Sequence, residues 1–284
     1  MLSQVLAISK VFKPGDYRIS TWLLMGATLQ CLLVSLLPRN ISLLPPLAFL
    51  TYRFLRGYLI ATGSLPNPVA SSVTHGRQTW RMPSTDDSTD PNSSGTIVVL
   101  VLSAHWTHPN GNFSPGSAIV GGYFQKMWRD AEVNREKYGF LGNTPAMTVE
   151  NSDARDDAQG KTTVYLSYWS SLEGLHKFAH AEAHMKGQLW WEKGAMDEFP
   201  HIGVMHETYE VPKGNWENVF HNFRPFGIAN AKLPVKVTSL GDEQGEKKES
   251  VEWVSGLKSA DAREWKTMYG RMGRRPGTRS AVKA

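Results

Sequence analysis

The histidines and tryptophans of this 284-residue chain crowd into one stretch, Lys161 to Pro212. His176, His180 and His184 recur every four residues, Trp190 and Trp191 follow, and His201, His206 and Glu207 come next. Histidine titrates close to neutrality, so it suits proton transfer and, when neutral, metal ligation. On one continuous helix His176 and His184 lie eight residues apart, too far to share an ion. Two histidines four apart can ligate together, but without a Glu directly after the first of them, the general base of a zincin helix, the pattern is weak. The metal reading is therefore set aside in favour of general-base chemistry. On a helical wheel Leu172, Leu175, Phe178, Ala179, Met185, Leu189 and Trp190 share an apolar face. His176 sits at the edge of that face, and His180, His184 and Trp191 drift to the far side. In the strand that follows, Ile202, Val204 and His206 share one face, and Met205, Glu207 and Tyr209 the other. Trp169, Trp190 and Trp191 are candidates to wall an apolar pocket.

These residues need elements to hold them. Thr96 to Trp106 is β-branched and apolar on both faces, as in a strand buried on both sides. Ser117 to Tyr138 carries Val120, Phe124, Met127, Trp128 and Ala131 at helical spacing, and Gly139 ends it. Pro145 to Glu150 and Thr162 to Trp169 read as strands joined by a polar loop. Ser170 or Ser171 caps a second helix that Gly194 and Pro200 close. His201 to Val211 is a fourth strand, and a short helix is expected around Trp216 to Phe220. The order β-α-β-β-α-β is the ferredoxin-like arrangement, an α+β fold. Strands apolar on both faces call for a cover on the side away from the helices. A second copy of the sheet supplies one, so a homodimer is expected.

The catalytic domain is assigned to residues 95–234. Before it, Ile19 to Leu37 carries no charge and is about as long as a bilayer-spanning helix. A shorter apolar segment, Ile41 to Tyr52, is broken by Pro45 and Pro46, so residues 1–62 form a membrane-associated segment, either one span or a helical hairpin. In the hairpin Lys10, Lys13, Arg18, Arg53 and Arg56 would all stay cytosolic; the expected location is a membrane, the endoplasmic reticulum, with the catalytic domain in the cytosol. Residues 63–94 read as a polar linker or irregular cover on which Trp80 docks, and 235–284 as a mixed-charge, weakly helical tail with a basic end. The net charge of +5 comes with no nucleic-acid-binding module. Cys31 is the sole cysteine, so an intrachain disulfide or cysteine zinc site is excluded. There is no dinucleotide glycine turn, P-loop or nucleophile elbow.

The segments VYLSYWSSLEGLHKFAHAEAHMKGQLWW and HIGVMHETYEVPKGNWENVFHNFRPFGI resemble a family of fungal and bacterial dimeric α/β-barrel proteins. These are the antibiotic-biosynthesis-type monooxygenases, among them the fumagillin-pathway group. The resemblance covers Thr96 to Ala231. It implies an oxygenase, cofactor-independent or with an undefined cofactor, acting on a polyketide or terpenoid intermediate of secondary metabolism, with a small hydrophobic substrate. Carried onto this chain, it points to Trp169, His184, Trp191, His206, Glu207 and Tyr209. His184, His206 and Glu207 are thus the catalytic candidates. Trp169, Trp190, Trp191, Tyr209, Gln188 and Met205 are the substrate-binding ones. Gln188 and Met205 depart from the family, which tends to have tryptophan at both positions. Three other readings stay open: a non-redox cyclase or isomerase in the same pocket, haem held by a histidine, and a silent membrane scaffold.

Overall fold

The computed structural model describes Tyr17 and residues 19–82, 95–149, 160–240 and 247–274. Lys10, Lys13, Arg18, the stretch 83–94, the loop 150–159 and the basic end beyond 274 lie outside those residues. Two compact units divide the chain, a helical one through Ser72 and an α/β one from Val73 onward.

In the helical unit, α1 spans Ile19–Leu36 and α2 spans Arg39–Ala61. The prolines do not break α2. Pro45 and Pro46 sit inside one continuous helix that runs past Tyr52. A proline offers no N–H to the carbonyl four residues earlier, so Pro46 leaves the Ser42 carbonyl without its helical partner. The side-chain amide of Gln30 on α1 donates to that carbonyl at 3.0 Å, and Ser42 is fully buried. The one side-chain amide in the middle of α1 and the carbonyl that Pro46 orphans in α2 satisfy each other. The apolar side chains of α1, including Leu23, Leu24, Leu29 and Leu32, are exposed.

The α/β unit is built on a sheet of five strands: β2 (Ile97–Trp106), β3 (Phe140–Asn143), β4 (Met147–Val149), β5 (Lys161–Trp169) and β6 (Ile202–Val211). The strand path is β3-β5-β2-β6, with β4 also pairing β5, and the pairs are antiparallel. With β3 and β4 counted as one interrupted strand, this is the ferredoxin-like strand order. The register places Leu102 opposite both His206 and Tyr165, so these share the face that also carries Val98, Leu100 and Ala104.

Helices cover the β2 and β5 part of that face, whereas Val204 and His206 of β6 stay exposed. α3 (Ser117–Val133) buries Val120, Met127 and Ala131, and the short α4 (Arg135–Tyr138) follows it. Gly139, at φ 61°, lets the chain turn directly into β3. Any Cβ there would collide with the Ser170 hydroxyl. The expected single second helix is in fact interrupted, and a last α-turn at Met196–Glu198 ends it. α5 is Leu172–Ala179, N-capped by the Ser171 hydroxyl, which accepts from the Gly174 amide at 3.1 Å. Ala181 is extended (φ −71°, ψ 151°), α6 runs Glu182–Trp190, and a π-turn continues through Trp191–Ala195.

The opposite face is covered in part by the chain itself. Ile97, Val99, Leu166 and Tyr168 pack with Trp80, Leu141, Ala231, Leu233 and Trp253. Trp80 belongs to β1 (Thr74–Trp80), which pairs with β7 (Phe220–Phe223) and β10 (Leu257–Ser259) in a three-stranded sheet. Its indole N–H donates to the Ala231 carbonyl at 2.9 Å. The expected polar linker and tail therefore contain strands. β8 (Lys232–Leu240) and β9 (Lys247–Ser255) form a hairpin where a weakly helical tail was expected. No helix forms around Trp216, whose indole instead donates to the Gly95 carbonyl at 3.0 Å. Alternating β-branched and aromatic positions in these segments gain their burial only from the sheet they cover.

Candidate active site

Between β2, β6, α3 and α6 lies a cavity of about 290 Å³. Leu102, Val120, Phe124, Met127 and Val204 make its apolar floor and walls, and Tyr123, Trp190 and Trp191 its aromatic side. Small residues make room for it. Ala183 and Gly187 of α6 face the cavity, whereas α5 fills the corresponding layer with Leu175 and Phe178. Gly187 also lets α6 come close to α3, since a Cβ there would lie 3.2 Å from Cβ of Tyr123.

Two imidazoles enter this space, His184 from α6 and His206 from β6. His184 Nδ1 is buried and has no hydrogen-bond partner among the described residues. Its ring packs 5.7 Å from that of Phe178. Burial, as the larger cause, holds the His184 pKa below its ordinary value. Positive charge on His206 or His180 would push it the same way. The Ala179 carbonyl beside the ring opposes the shift by favouring a protonated ring nitrogen. Burial thus favours the neutral imidazole, the form in which a histidine accepts a proton, beside a largely apolar cavity that is open on the side of exposed Val204 and His206. Gln188 and Glu192 contribute to the rim, where the Gln188 amide donates to the Glu192 carboxylate at 2.8 Å.

The geometry thus brings together His184, His206, Gln188, Trp190 and Trp191, and separates the other four candidates from them. Trp169 is fully buried at the far end of the helix-covered face. Its ring lies 4.9 Å from Phe140 and 4.8 Å from Phe178, and its N–H donates to the Ser167 hydroxyl at 2.9 Å. It is core, with no surface left for a ligand. Met205, Glu207 and Tyr209 point to the opposite face of β6, as alternation requires. There the Tyr209 hydroxyl donates to the Glu207 carboxylate, and the carboxylate pushes the phenol pKa up. Met205 and Tyr209 remain 44% and 51% exposed.

Sequence reasoning overlooked Tyr123, Phe124 and Glu192 as lining residues. Phe124 had been assigned to the apolar stripe of its helix, a signal that does not separate core from cavity wall. Glu192 follows Gln188 by one helical turn, which could have flagged it. Among the described residues no group of three or more His, Cys, Asp and Glu could hold a metal ion.

Residues 97–228 match the family described as Monooxygenase af470-like. The chain is 27% identical over 270 residues to Monooxygenase af470 of Aspergillus fumigatus, covering 94% of this chain and 92% of that protein. Among solved structures, SnoaB, a cofactor-independent oxygenase from Streptomyces nogalater, matches at 8% identity over 42% of this chain and 94% of its own, with a TM-score of 0.25. An aldoxime dehydratase matches at 10% identity over 54% of this chain and 40% of its own, with a TM-score of 0.35. The assignment of the fold rests on the strand order rather than on these superpositions.

Proposed function

We infer, from an α/β domain that matches the af470-like monooxygenases, that the His184/His206 cavity is the site of a cofactor-independent monooxygenation in secondary metabolism. The single observation that carries this reading is that two imidazoles, His184 and His206, line one largely apolar cavity. A substrate with an acidic CH₂ flanked by an electron-withdrawing π-system, as in polyketide or terpenoid intermediates, would give up a proton to His184. The carbanion then passes electrons to O₂, and the substrate itself supplies all four. The balance is CH₂ + O₂ → C=O + H₂O, with one oxygen in the product and the other in water. Low polarity favours the neutral base, and the aromatic walls exclude bulk water from the anion. His206 faces the same space, placed to stabilise that anion or to return a proton to the leaving peroxide oxygen.

The reaction class is tested by turnover of a candidate substrate with and without oxygen. Oxygen-dependent product carrying one ¹⁸O from ¹⁸O₂ is expected. Undiminished turnover under strict anaerobiosis would mean a cyclase or isomerase using the same aromatic walls.

The helical unit supports a membrane tether. α1 is uncharged, is 18 residues long and buries none of its residues. At a rise of about 1.5 Å per residue it spans roughly the hydrocarbon thickness. Mutual satisfaction of Gln30 and the Ser42 carbonyl removes two of the unpaired polar groups that lipid would penalise. A hairpin inserted from the cytosolic side of the endoplasmic reticulum keeps Arg53 and Arg56 at that interface. On the opposite sheet face, exposed Met205 and Tyr209 fit contact with a second copy. Cross-linking and sedimentation of the detergent-solubilised chain test that homodimer, and a monomer at all concentrations would exclude it.

A further inference from the structure

A second and larger concavity, about 580 Å³, lies between α3, α4 and the start of α6. It adjoins the histidine cavity, because Tyr123 and Ala183 line both. The two differ in chemistry. The cavity is walled by apolar and aromatic groups, whereas the cleft carries Lys126, Lys137 and Lys186 against Asp130 and Glu182.

Most of those charges already have partners. Glu182 pairs with Lys186 at 2.5 Å. Both oxygens of Asp130 are engaged, one accepting from the Asn134 amide at 2.8 Å and the other from the Tyr138 hydroxyl at 3.0 Å. Lys126 and Lys137 remain. Each ammonium lies over a tyrosine ring, 5.8 Å from that of Tyr123 and 5.2 Å from that of Tyr138, and neither is ion-paired among the described residues. The cleft therefore offers two ammonium groups without an ion-pair partner beside an apolar cavity, with Tyr123 as the shared wall; the Asp130 carboxylate, held by neutral donors only, offsets one of the two positive charges.

We propose that cleft and cavity form one bipartite site for an amphiphilic substrate. The apolar body would fill the histidine cavity, and an anionic group, carboxylate or phosphate, would sit between Lys126 and Lys137. This rests on the cavity being the substrate site. It gives that site a polarity. The end of the substrate held near His184 is the apolar one, and its charge stays in the cleft, where Lys126 and Lys137 are exposed and the ionic contact is screened by salt.

Two fluorescent probes that differ by a single sulfonate test it, 8-anilinonaphthalene-1-sulfonate and neutral N-phenyl-1-naphthylamine. Binding is read in the full-length chain in non-ionic detergent as quenching of tryptophan emission. Only the part abolished by Val204→Trp, which fills the cavity, is counted. The sulfonate probe is expected to bind roughly threefold tighter, the scale of one net screened surface charge. Its advantage should shrink as salt rises. Lys126→Gln/Lys137→Gln should erase that advantage and leave the neutral probe unchanged. Lys213→Gln/Lys258→Gln, which removes the same net charge elsewhere, should leave it intact.

If the neutral probe binds in the cavity but the ratio survives Lys126→Gln/Lys137→Gln, the bipartite site is wrong while the cavity assignment stands. If the control pair erases the ratio equally, the effect is one of net charge and the proposal is again overturned. If neither probe gives a signal that Val204→Trp removes, the cavity assignment fails and the proposal with it.

Discussion

The helix-covered face of the sheet has a solid end and a hollow end, although the same β2 and β5 run through both. At the solid end Trp169, Phe140, Phe178 and Trp128 pack ring on ring, with Leu175 and Tyr138 completing the layer. At the hollow end the helix turns Ala183 and Gly187 toward the sheet, and about 290 Å³ stays open. The difference lies in the covering helix. α5 presents large side chains, and α6 resumes after the extended Ala181 with small ones and a histidine. Aromatic content alone therefore does not mark a ligand site. Trp169 and Trp191 are the same residue type in one strand-helix unit, but the first is sealed and the second lines a cavity.

The sharpest way to break this comparison is to truncate one tryptophan at each end. Trp169→Ala should cost about 3–5 kcal/mol of stability, the range for emptying a fully buried indole site. Denaturant unfolding of the detergent-solubilised chain measures it. Trp191→Ala should leave the unfolding midpoint almost unchanged and weaken binding of the neutral naphthylamine. Equal destabilisation by both would mean that the hollow end closes in solution. Next in size, His184→Ala should lower turnover by about 10²–10⁴, the contribution of a positioned general base. Glu207→Ala, on the other face of β6, should leave kcat intact. A Glu207→Ala loss as large as that of His184→Ala would contradict the separation of the two faces.

A smaller effect concerns pH. Burial depresses the His184 pKa, so the folded chain binds that proton less readily than the unfolded one. Stability from this group is complete above the ordinary value of 6.5, and it declines as pH falls through that value toward the folded one. The acid limb of kcat should accordingly lie below the ordinary histidine range. A limb at or above it would mean that His184 is not the base. Smallest of all, Gln30→Leu should reduce retention of the chain in alkali-washed membranes, because it leaves the Ser42 carbonyl bare. Pro46→Ala restores an N–H to that carbonyl and should rescue Gln30→Leu. Failure of the rescue would separate the lock from the tether.

The β-α-β-β-α-β order, the buried β2 strand and the apolar stripe of α3 were legible because periodicity fixes them locally. So was the split of β6 into a His206 face and a Glu207 face, since side chains alternate in any strand. The covering strands β1, β8 and β9 were not legible. Their residues are polar or mixed, and they become strands only by pairing and by burying Trp80 and Leu233 against a distant sheet.

The placement of His184 shows the same boundary. A wheel drawn for one uninterrupted helix sends it to the far side, away from the apolar stripe. The break at His180 and Ala181 resets the helical phase, so His184 faces the sheet instead. The sequence by itself determined which residues could exchange a proton and that they lie on a strand-helix-strand unit. Only the tertiary structure decided which of them share an enclosure. Residue type and local period set chemistry and facing, whereas a single residue outside helical geometry redirects everything after it, and packing across the sheet decides where space is left.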